Sequence, residues 1–210
     1  MNNYSQILLQ AYETFMLHLG GKKVPTPYRI NIPFQPDRKK YGKSDPKTLV
    51  SDAKQFARKQ DFDLDKAAVE EIRQFMEKNQ LGIDCSGFAY HLLDTILKKI
   101  GKGSLLDNGF PKASSTNVAL LASDQFSNNV ENLSKTKPGD LIRLNSQSAD
   151  HVLIILKVEK GNILYAHSSG LTSTTGVHTG EIINGQFPAE LSVFSYNEKI
   201  GDGIRRLKIL

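Results

Sequence analysis

The sequence predicts an α+β fold in which helices come first and an antiparallel sheet follows. In the first half, apolar residues recur at intervals of three and four, as they do along one face of a helix. In the second half, "GDLIRL", "HVLIILKV", "NILYAH" and "LSVFSY" are short, β-branched or aromatic, and separated by turn residues. Since helices and strands are segregated along the chain, alternating βαβ units are not expected.

The first helix is predicted from Leu8, Tyr12, Phe15 and Leu19, which share one face, and Gly20-Gly21 ends it. The proline-rich stretch that follows is predicted to be irregular. A second helix begins at Asp45-Pro46, an N-cap followed by proline at the first helical position. A third runs from about Asp63 to Asn79, with an apolar stripe formed by Val69, Ile72 and Met76.

The fourth helix is the clearest and begins at Cys85. Phe88, Leu92, Ile96 and Ile100 follow at intervals of four, and Gly101 ends the helix. The stretch from 101 to 137 is turn-rich, with one short helical candidate in "STNVALLASDQF". We expect residues 1–80 to be a helical addition packed on a core of residues 81–210, together one compact domain.

The composition is that of an ordinary globular protein of 210 residues, with 39% hydrophobic and 23% charged residues. A lone cysteine excludes an internal disulfide, and no Cys/His group has zinc-ligand spacing, so neither a metal nor another cofactor is expected. The net charge of +5 comes from scattered lysines, so nucleic-acid binding is not expected, although weak attraction to anionic polymers fits. The sequence predicts no signal peptide and no transmembrane segment, and it leaves the oligomeric state open.

Cys85 is a candidate nucleophile because it lies in the first turn of its helix. Unpaired N–H groups and the helix dipole there favour a thiolate, and they can also bind an oxyanion. The alternative is an inert buried cysteine that only fills space. A nucleophilic thiol further needs a base and a group that orients the base.

Two of the five histidines are candidate partners for the thiol. His151 begins the most hydrophobic predicted strand, and His167 ends the next one. We place His18 near the end of the first helix and His91 on another side of the Cys85 helix. His178 lies in the turn-rich "TTGVHTG" and is interpreted as a solvent-exposed strand residue.

The separation of His151 and His167 is sixteen, so the two rings share a sheet face if the connecting loop has an odd number of residues. A three-residue loop, Glu159-Lys160-Gly161, meets this condition. A two-residue loop would send the rings to opposite faces, and the spacing alone leaves both open.

Four motifs in this order resemble the NlpC-type cysteine peptidases, bacterial cell-wall endopeptidases with a papain-like core. They are "DCSGF" at 84–88, "GFPKASS" at 109–115, "KPGDLIRL" at 137–144 and "DHVLIIL…ILYAHSSG" at 150–170. In the second motif Lys112 replaces the family's arginine. The resemblance covers residues 82–185, about half of the chain.

The resemblance implies a helix that bears the nucleophile and packs on an antiparallel sheet. By position, Cys85 matches the nucleophile, His151 the general base and His167 the residue that orients the base. Asp84 and Ser86 match positions that shape the substrate pocket. The implied reaction is hydrolysis of an amide bond in a peptidoglycan stem peptide, such as the bond between γ-D-glutamate and a diamino acid, without a cofactor. The location would be cytoplasmic, or the cell wall reached by a non-classical route.

The chain departs from the family pattern before the cysteine. The family has Tyr-x-Trp-Gly-Gly about a dozen residues upstream, whereas this chain has no tryptophan. Tyr28 in "TPYRIN" is a candidate substrate-lining tyrosine, and then the helices within 45–79 are an insertion; otherwise the match is accidental. Three other functions stay open, namely an amidase, an acyltransferase or thioesterase of the same fold, and a silent binding module of a phage or secretion assembly.

Overall fold

A six-stranded antiparallel sheet with helices on one side dominates the computed structural model, which describes residues 3–30, 42–145, 150–195 and 202–210. The helices are α1 (Asn3–Glu13), α2 (Pro46–Lys59), α3 (Val69–Lys78), α4 (Cys85–Lys99) and α5 (Val118–Leu121). The strands are β1 (Met16–Leu19), β2 (Lys22–Pro25), β3 (Ser127–Val130), β4 (Leu141–Asn145), β5 (Asp150–Glu159), β6 (Asn162–Ser169), β7 (Gly176–Ile182) and β8 (Gly203–Leu207). The strand order is β3-β8-β4-β5-β6-β7, so the α+β class is confirmed.

The two faces of this sheet pack against different partners, because successive side chains of a strand point to opposite sides. On one side Val152 and Ile154 of β5 pack with α1 and α4 in one core cluster. On the other side Leu153 and Ile155 pack with Phe194, next to a 3₁₀ helix over Ala189–Val193. β5 is therefore buried on both faces, which accounts for its continuous apolar run.

The first helix is shorter than predicted, because α1 ends at Glu13 and the chain turns into the β1–β2 hairpin. Leu17 and Leu19 are buried and His18 between them is exposed, so the period here is two and not four. Gly20 and Gly21, at φ 54° and 69°, form the two-residue turn of this hairpin instead of ending a helix. The placement of His18 on a helix was therefore wrong.

The other N-terminal elements agree with the sequence in part. Asp45 caps α2 by accepting a hydrogen bond from the Thr48 N–H at 3.0 Å, as predicted. α3 begins at Val69 and not near Asp63, whose carboxylate accepts hydrogen bonds from the Asp65 and Lys66 N–H groups within a turn. Residues 31–41 of the predicted irregular stretch lie outside the described residues.

In the second half, α4, α5, β4, β5 and β6 lie where the sequence predicts them. The predicted strand "LSVFSY" is wrong, since its first residues belong to the 3₁₀ helix over Ala189–Val193 and its last lies outside the described residues. Strands β3, β7 and β8 were not predicted. In the part of the chain that the structure describes, every helix is too short or too polar to cross a membrane.

Candidate active site

Cys85 is the first residue of α4, and the helix start is fixed by Asp84. The Asp84 carboxylate accepts the Gly87 N–H at 2.6 Å, the usual contact of an N-cap. The backbone N–H groups of Val152 and Ser86 lie close enough to the Cys85 sulfur to favour its charged form. Cys85 is 7% exposed. The thiol is thus held against β5 at the peptide that joins His151 to Val152.

A buried lysine supports this helix start. The Lys43 ammonium donates to the Asp84 carboxylate at 2.7 Å and also to the Ser86 hydroxyl, and all three residues are buried. Asp84 and Ser86 were predicted to line the substrate pocket, but their polar atoms face Lys43 and each other. Lys43 was not predicted, because it lies 41 residues before Asp84 in a turn-rich stretch and carries no local motif.

The pKa of the thiol is opposite in direction to the prediction from the helix terminus. Burial raises the pKa of Cys85 to about 12, and the neighbouring Asp84 carboxylate acts in the same direction. Lys43 and the two backbone N–H groups lower it, but by less than burial raises it. The resting thiol is therefore protonated, and it needs a base to react.

Tyr28 lies next to the thiol, as its predicted substrate-lining role requires. It forms a parallel bridge with Ile83, two residues before the cysteine. Burial raises the pKa of Tyr28, and the charge of Cys85 is the next cause, so the two groups interact. A Cβ at Gly170 would lie 2.5 Å from the Tyr28 Cδ1 atom, so a glycine is needed there for the ring to fit.

His151 and His167 share a sheet face, but not through the predicted three-residue loop. Glu159 pairs with Asn162, so the turn has two residues, Lys160 and Gly161, both at positive φ. By itself this turn would send the rings to opposite faces. A register shift between Ile155 and Lys157 inserts one extra residue into β5 and restores the shared face.

Three imidazoles form a hydrogen-bonded row across β5, β6 and β7. His151 Nε2 lies 2.7 Å from His167 Nδ1, and His167 Nε2 lies 2.8 Å from His178 Nε2. His178 Nδ1 lies 3.0 Å from the Gly176 carbonyl oxygen. His178 pairs directly with His167 in the ladder and is buried, so its predicted exposure was wrong.

The row fixes where the ring protons lie when all three imidazoles are neutral. The Gly176 carbonyl can only accept, so His178 carries its proton on Nδ1 and its Nε2 is an acceptor. His167 must then donate from Nε2, which leaves its Nδ1 to accept from His151 Nε2–H. The free lone pair of His151 is consequently on Nδ1, where a general base needs it.

Burial keeps His151 and His167 neutral. Burial lowers the pKa of His151 to about 3, and the nearby charge of His178 lowers it further. Burial also holds the pKa of His167 well below its ordinary value, with the other two histidines as the next causes. The Phe194 ring stacks on His151 at 4.2 Å between centroids and shields it from water.

Glu190 stands at the far end of the row and was not predicted. Its Oε2 lies 3.7 Å from His178 Nε2, and its Oε1 accepts the Tyr165 hydroxyl at 2.6 Å. Tyr165 pairs with Gly180 in the ladder, where a Cβ would lie 2.1 Å from the phenol oxygen. Gly180 therefore lets the tyrosine lie across β7 and reach the glutamate.

Thiol and imidazoles approach β5 from opposite sides. His151 pairs with Leu144 and stacks on Phe194, whereas Cys85 packs with Val152 on the α4 side. The backbone N–H and carbonyl of Ile155 bond to residues just before β4. Because these groups alternate in direction from one residue to the next along a strand, the Val152 N–H points to the other side, towards β6. The β5–β6 pairing begins only at Ile154, so Val152 lies just outside the paired part of the two strands.

No protein-family model, no curated protein and no solved structure matches this chain. Its function is therefore inferred from its own residues and their arrangement.

Proposed function

We propose that the protein is a cysteine hydrolase that cleaves an amide bond, with Cys85 as nucleophile, His151 as base and His167 as the residue that orients the base. One observation carries the proposal. The single thiol of the chain lies near the peptide that joins His151 to Val152, and His151 is the first ring of a buried histidine row. A helix N-terminus, a thiol and an oriented imidazole are the parts that cysteine acyl transfer requires.

The reaction starts from a neutral pair, since burial keeps the thiol protonated and His151 unprotonated. As sulfur attacks the carbonyl carbon, its proton passes to His151 Nδ1, a step that requires the His151 ring to reach the thiol from the other side of β5. The positive charge that forms on His151 is stabilised through His167 and His178, with the Glu190 carboxylate beyond them. His167 here holds the ring orientation and the tautomer, as the acid does in other triads.

Collapse of the tetrahedral intermediate breaks the C–N bond, and His151 returns the proton from Nδ1 to the leaving amine. A thioester remains on Cys85. Water then attacks the thioester, giving its proton to His151, and the acid leaves as the thiol is reprotonated. The Cys85 N–H belongs to the first turn of α4 and has no acceptor within the helix, so it is the proposed oxyanion donor.

The proposed substrate is a peptidoglycan stem peptide, cut between γ-D-glutamate and a diamino acid, as the resemblance of the four motifs to the NlpC-type peptidases implies. Tyr28 is the predicted pocket residue with the best support, because its bridge to Ile83 places it beside the segment that leads into Cys85. Asp84 and Ser86 contribute by fixing the helix start rather than by touching substrate. The net charge of +5 suits an anionic wall polymer.

A lipid acyl group is the second candidate substrate, because an apolar cavity lies on the imidazole side of the sheet. The cavity has a volume of about 320 Å³ and is lined by Leu144, Phe187, Leu191 and Phe194, among others. Two of these lining residues contact the proposed base, since Phe194 stacks on the His151 ring and Leu144 lies opposite His151 in the sheet. The cavity therefore adjoins His151. The same thiol would then act as an acyltransferase or thioesterase.

The test offers the purified protein a stem tetrapeptide, intact peptidoglycan and an ester lipid, and follows new amines and acids by mass spectrometry. We expect amide cleavage that Cys85→Ser abolishes and His151→Ala lowers by about 10²–10⁴-fold, the usual contribution of a general base. His18→Ala, which removes an exposed histidine on β1, serves as the matched control and should retain full activity. Cleavage of the lipid alone would favour the second candidate, and no cleavage at all would refute the hydrolase.

A further inference from the structure

We propose that His167, His178 and Glu190 form a binding site for one divalent transition-metal ion of the zinc type. The three residues come from β6, β7 and the 3₁₀ helix over Ala189–Val193, which meet on the face of the sheet opposite α4. His167 is fully buried, His178 is buried and Glu190 is half-buried. The proposal concerns binding, and it does not depend on the hydrolase activity.

The ligand atoms converge on one point. His167 Nε2 and His178 Nε2 are 2.8 Å apart, His178 Nε2 and Glu190 Oε2 are 3.7 Å apart, and all three atoms lie within 4.8 Å of one another. Tetrahedral zinc with bonds of about 2.0–2.1 Å separates neighbouring ligands by roughly 3.3 Å. The 2.8 and 3.7 Å separations lie within about 0.5 Å of that value, and the third is no more than 4.8 Å, so small movements of the three side chains would seat the ion.

Each ligand is also held by a hydrogen bond at its other polar atom. His178 Nδ1 donates to the Gly176 carbonyl at 3.0 Å, and the Tyr165 hydroxyl donates to Glu190 Oε1 at 2.6 Å. His167 Nδ1 is 2.7 Å from His151 Nε2. Such outer partners, especially a carbonyl behind a histidine, are typical of metal ligands because they fix ring orientation and tautomer. An ion pair between His178 and Glu190 alone would not require these outer hydrogen bonds.

The chemistry of the ligand set selects the class of ion. Two imidazoles and one carboxylate suit zinc and its neighbours in the first transition series, whereas calcium and magnesium prefer sites made of oxygen ligands. Three protein ligands leave a fourth tetrahedral position for water or another small ligand.

A metal ion bound at this site would change the protonation of His151, and the effect of that change on hydrolysis rests on the proposed function. A metal on His167 Nε2 displaces the proton there, so His167 carries its proton on Nδ1 and donates it to His151 Nε2. His151 must then carry its own proton on Nδ1 and cannot accept one from the thiol. The metal would therefore inhibit hydrolysis and not assist it.

The test titrates Zn²⁺ into the metal-free full-length chain in competition with a chromophoric chelator. We expect one ion per chain, an affinity about 10–100-fold weaker in Tyr165→Phe, which removes an outer partner, and a larger loss in His178→Ala and Glu190→Gln. His18→Ala and Cys85→Ala are the controls and should bind as the wild type does. Glu190→Gln preserves the shape of the side chain, so it carries the test if His178→Ala does not fold.

Binding of less than one ion per chain, or equal affinity in wild type and Glu190→Gln, would overturn the site. Hydrolysis is measured separately, with and without one equivalent of Zn²⁺. Stoichiometric binding without any hydrolytic activity would leave the metal site standing and refute the hydrolase. Hydrolysis that is unchanged by a stoichiometrically bound ion would refute the inhibitory consequence alone.

Discussion

The reactivity of the Cys85 thiol should be suppressed by burial, and the effect is large enough to measure. Burial raises the pKa of this thiol to about 12, whereas an ordinary cysteine has a pKa of about 8.5. At pH 8 its thiolate fraction is therefore lower than that of an unfolded thiol by about 1,000-fold. Because Cys85 is the only cysteine, the alkylation rate of the whole protein reports on this one group.

The assay measures iodoacetamide alkylation by intact mass from pH 7 to pH 11, in folded protein and in denaturant. We expect the folded rate to rise about tenfold per pH unit without a plateau, and the denatured rate to level off near pH 9. The folded state holds this proton to higher pH, so its stability relative to Cys85→Ala should fall as the pH rises from about 9 towards 12. A folded plateau at or below pH 8.5 would show that the helix terminus, and not burial, sets the pKa.

Two further substitutions test the support of the site by denaturant unfolding. Lys43→Met removes the cation from a buried ion pair and should lower the free energy of unfolding by about 3–5 kcal/mol. The control is Lys47→Met, which replaces an exposed lysine. Equal stability of the two variants would contradict the ion pair. Gly180→Ala places a Cβ 2.1 Å from a buried phenol oxygen and should cost about 1–3 kcal/mol. The control is Glu181→Ala at the exposed neighbouring position, whose free energy of unfolding should lie within about 0.5 kcal/mol of the wild-type value. A change as small as this in Gly180→Ala would show that the Tyr165 ring moves freely.

The sequence was sufficient where local chemistry decides the structure. The Asp45 cap and the four-residue spacing after Cys85 each involve contacts between near neighbours, so α2 and α4 begin where predicted. The prediction from sequence failed at Leu17 and Leu19. Their spacing from Leu8 fits one face of a helix, but they are buried in a strand that pairs across the Gly20-Gly21 turn. A short apolar run fits both periods, and only tertiary packing decides between them.

The candidate site was predicted only in part, because several of its contacts join residues that are far apart in the sequence. The spacing of His151 and His167 allowed a shared face without deciding it, and the structure achieves the shared face with a bulge between Ile155 and Lys157, a feature with no signal in the residue types. Lys43 and Glu190 lie far along the chain from the groups that they contact. His178 was assigned to the surface because its turn-rich surroundings concealed strand β7.

Formation of an acyl-enzyme on Cys85 tests the central claim most directly. The protein is mixed with a stem peptide, quenched in acid within the first turnover, and digested for mass spectrometry. We predict a mass adduct of the acyl fragment on the peptide that contains Cys85, with accumulation slowed in His151→Ala. Release of product without any adduct on that peptide, or equal rates in wild type and Cys85→Ala, would contradict a thiol nucleophile.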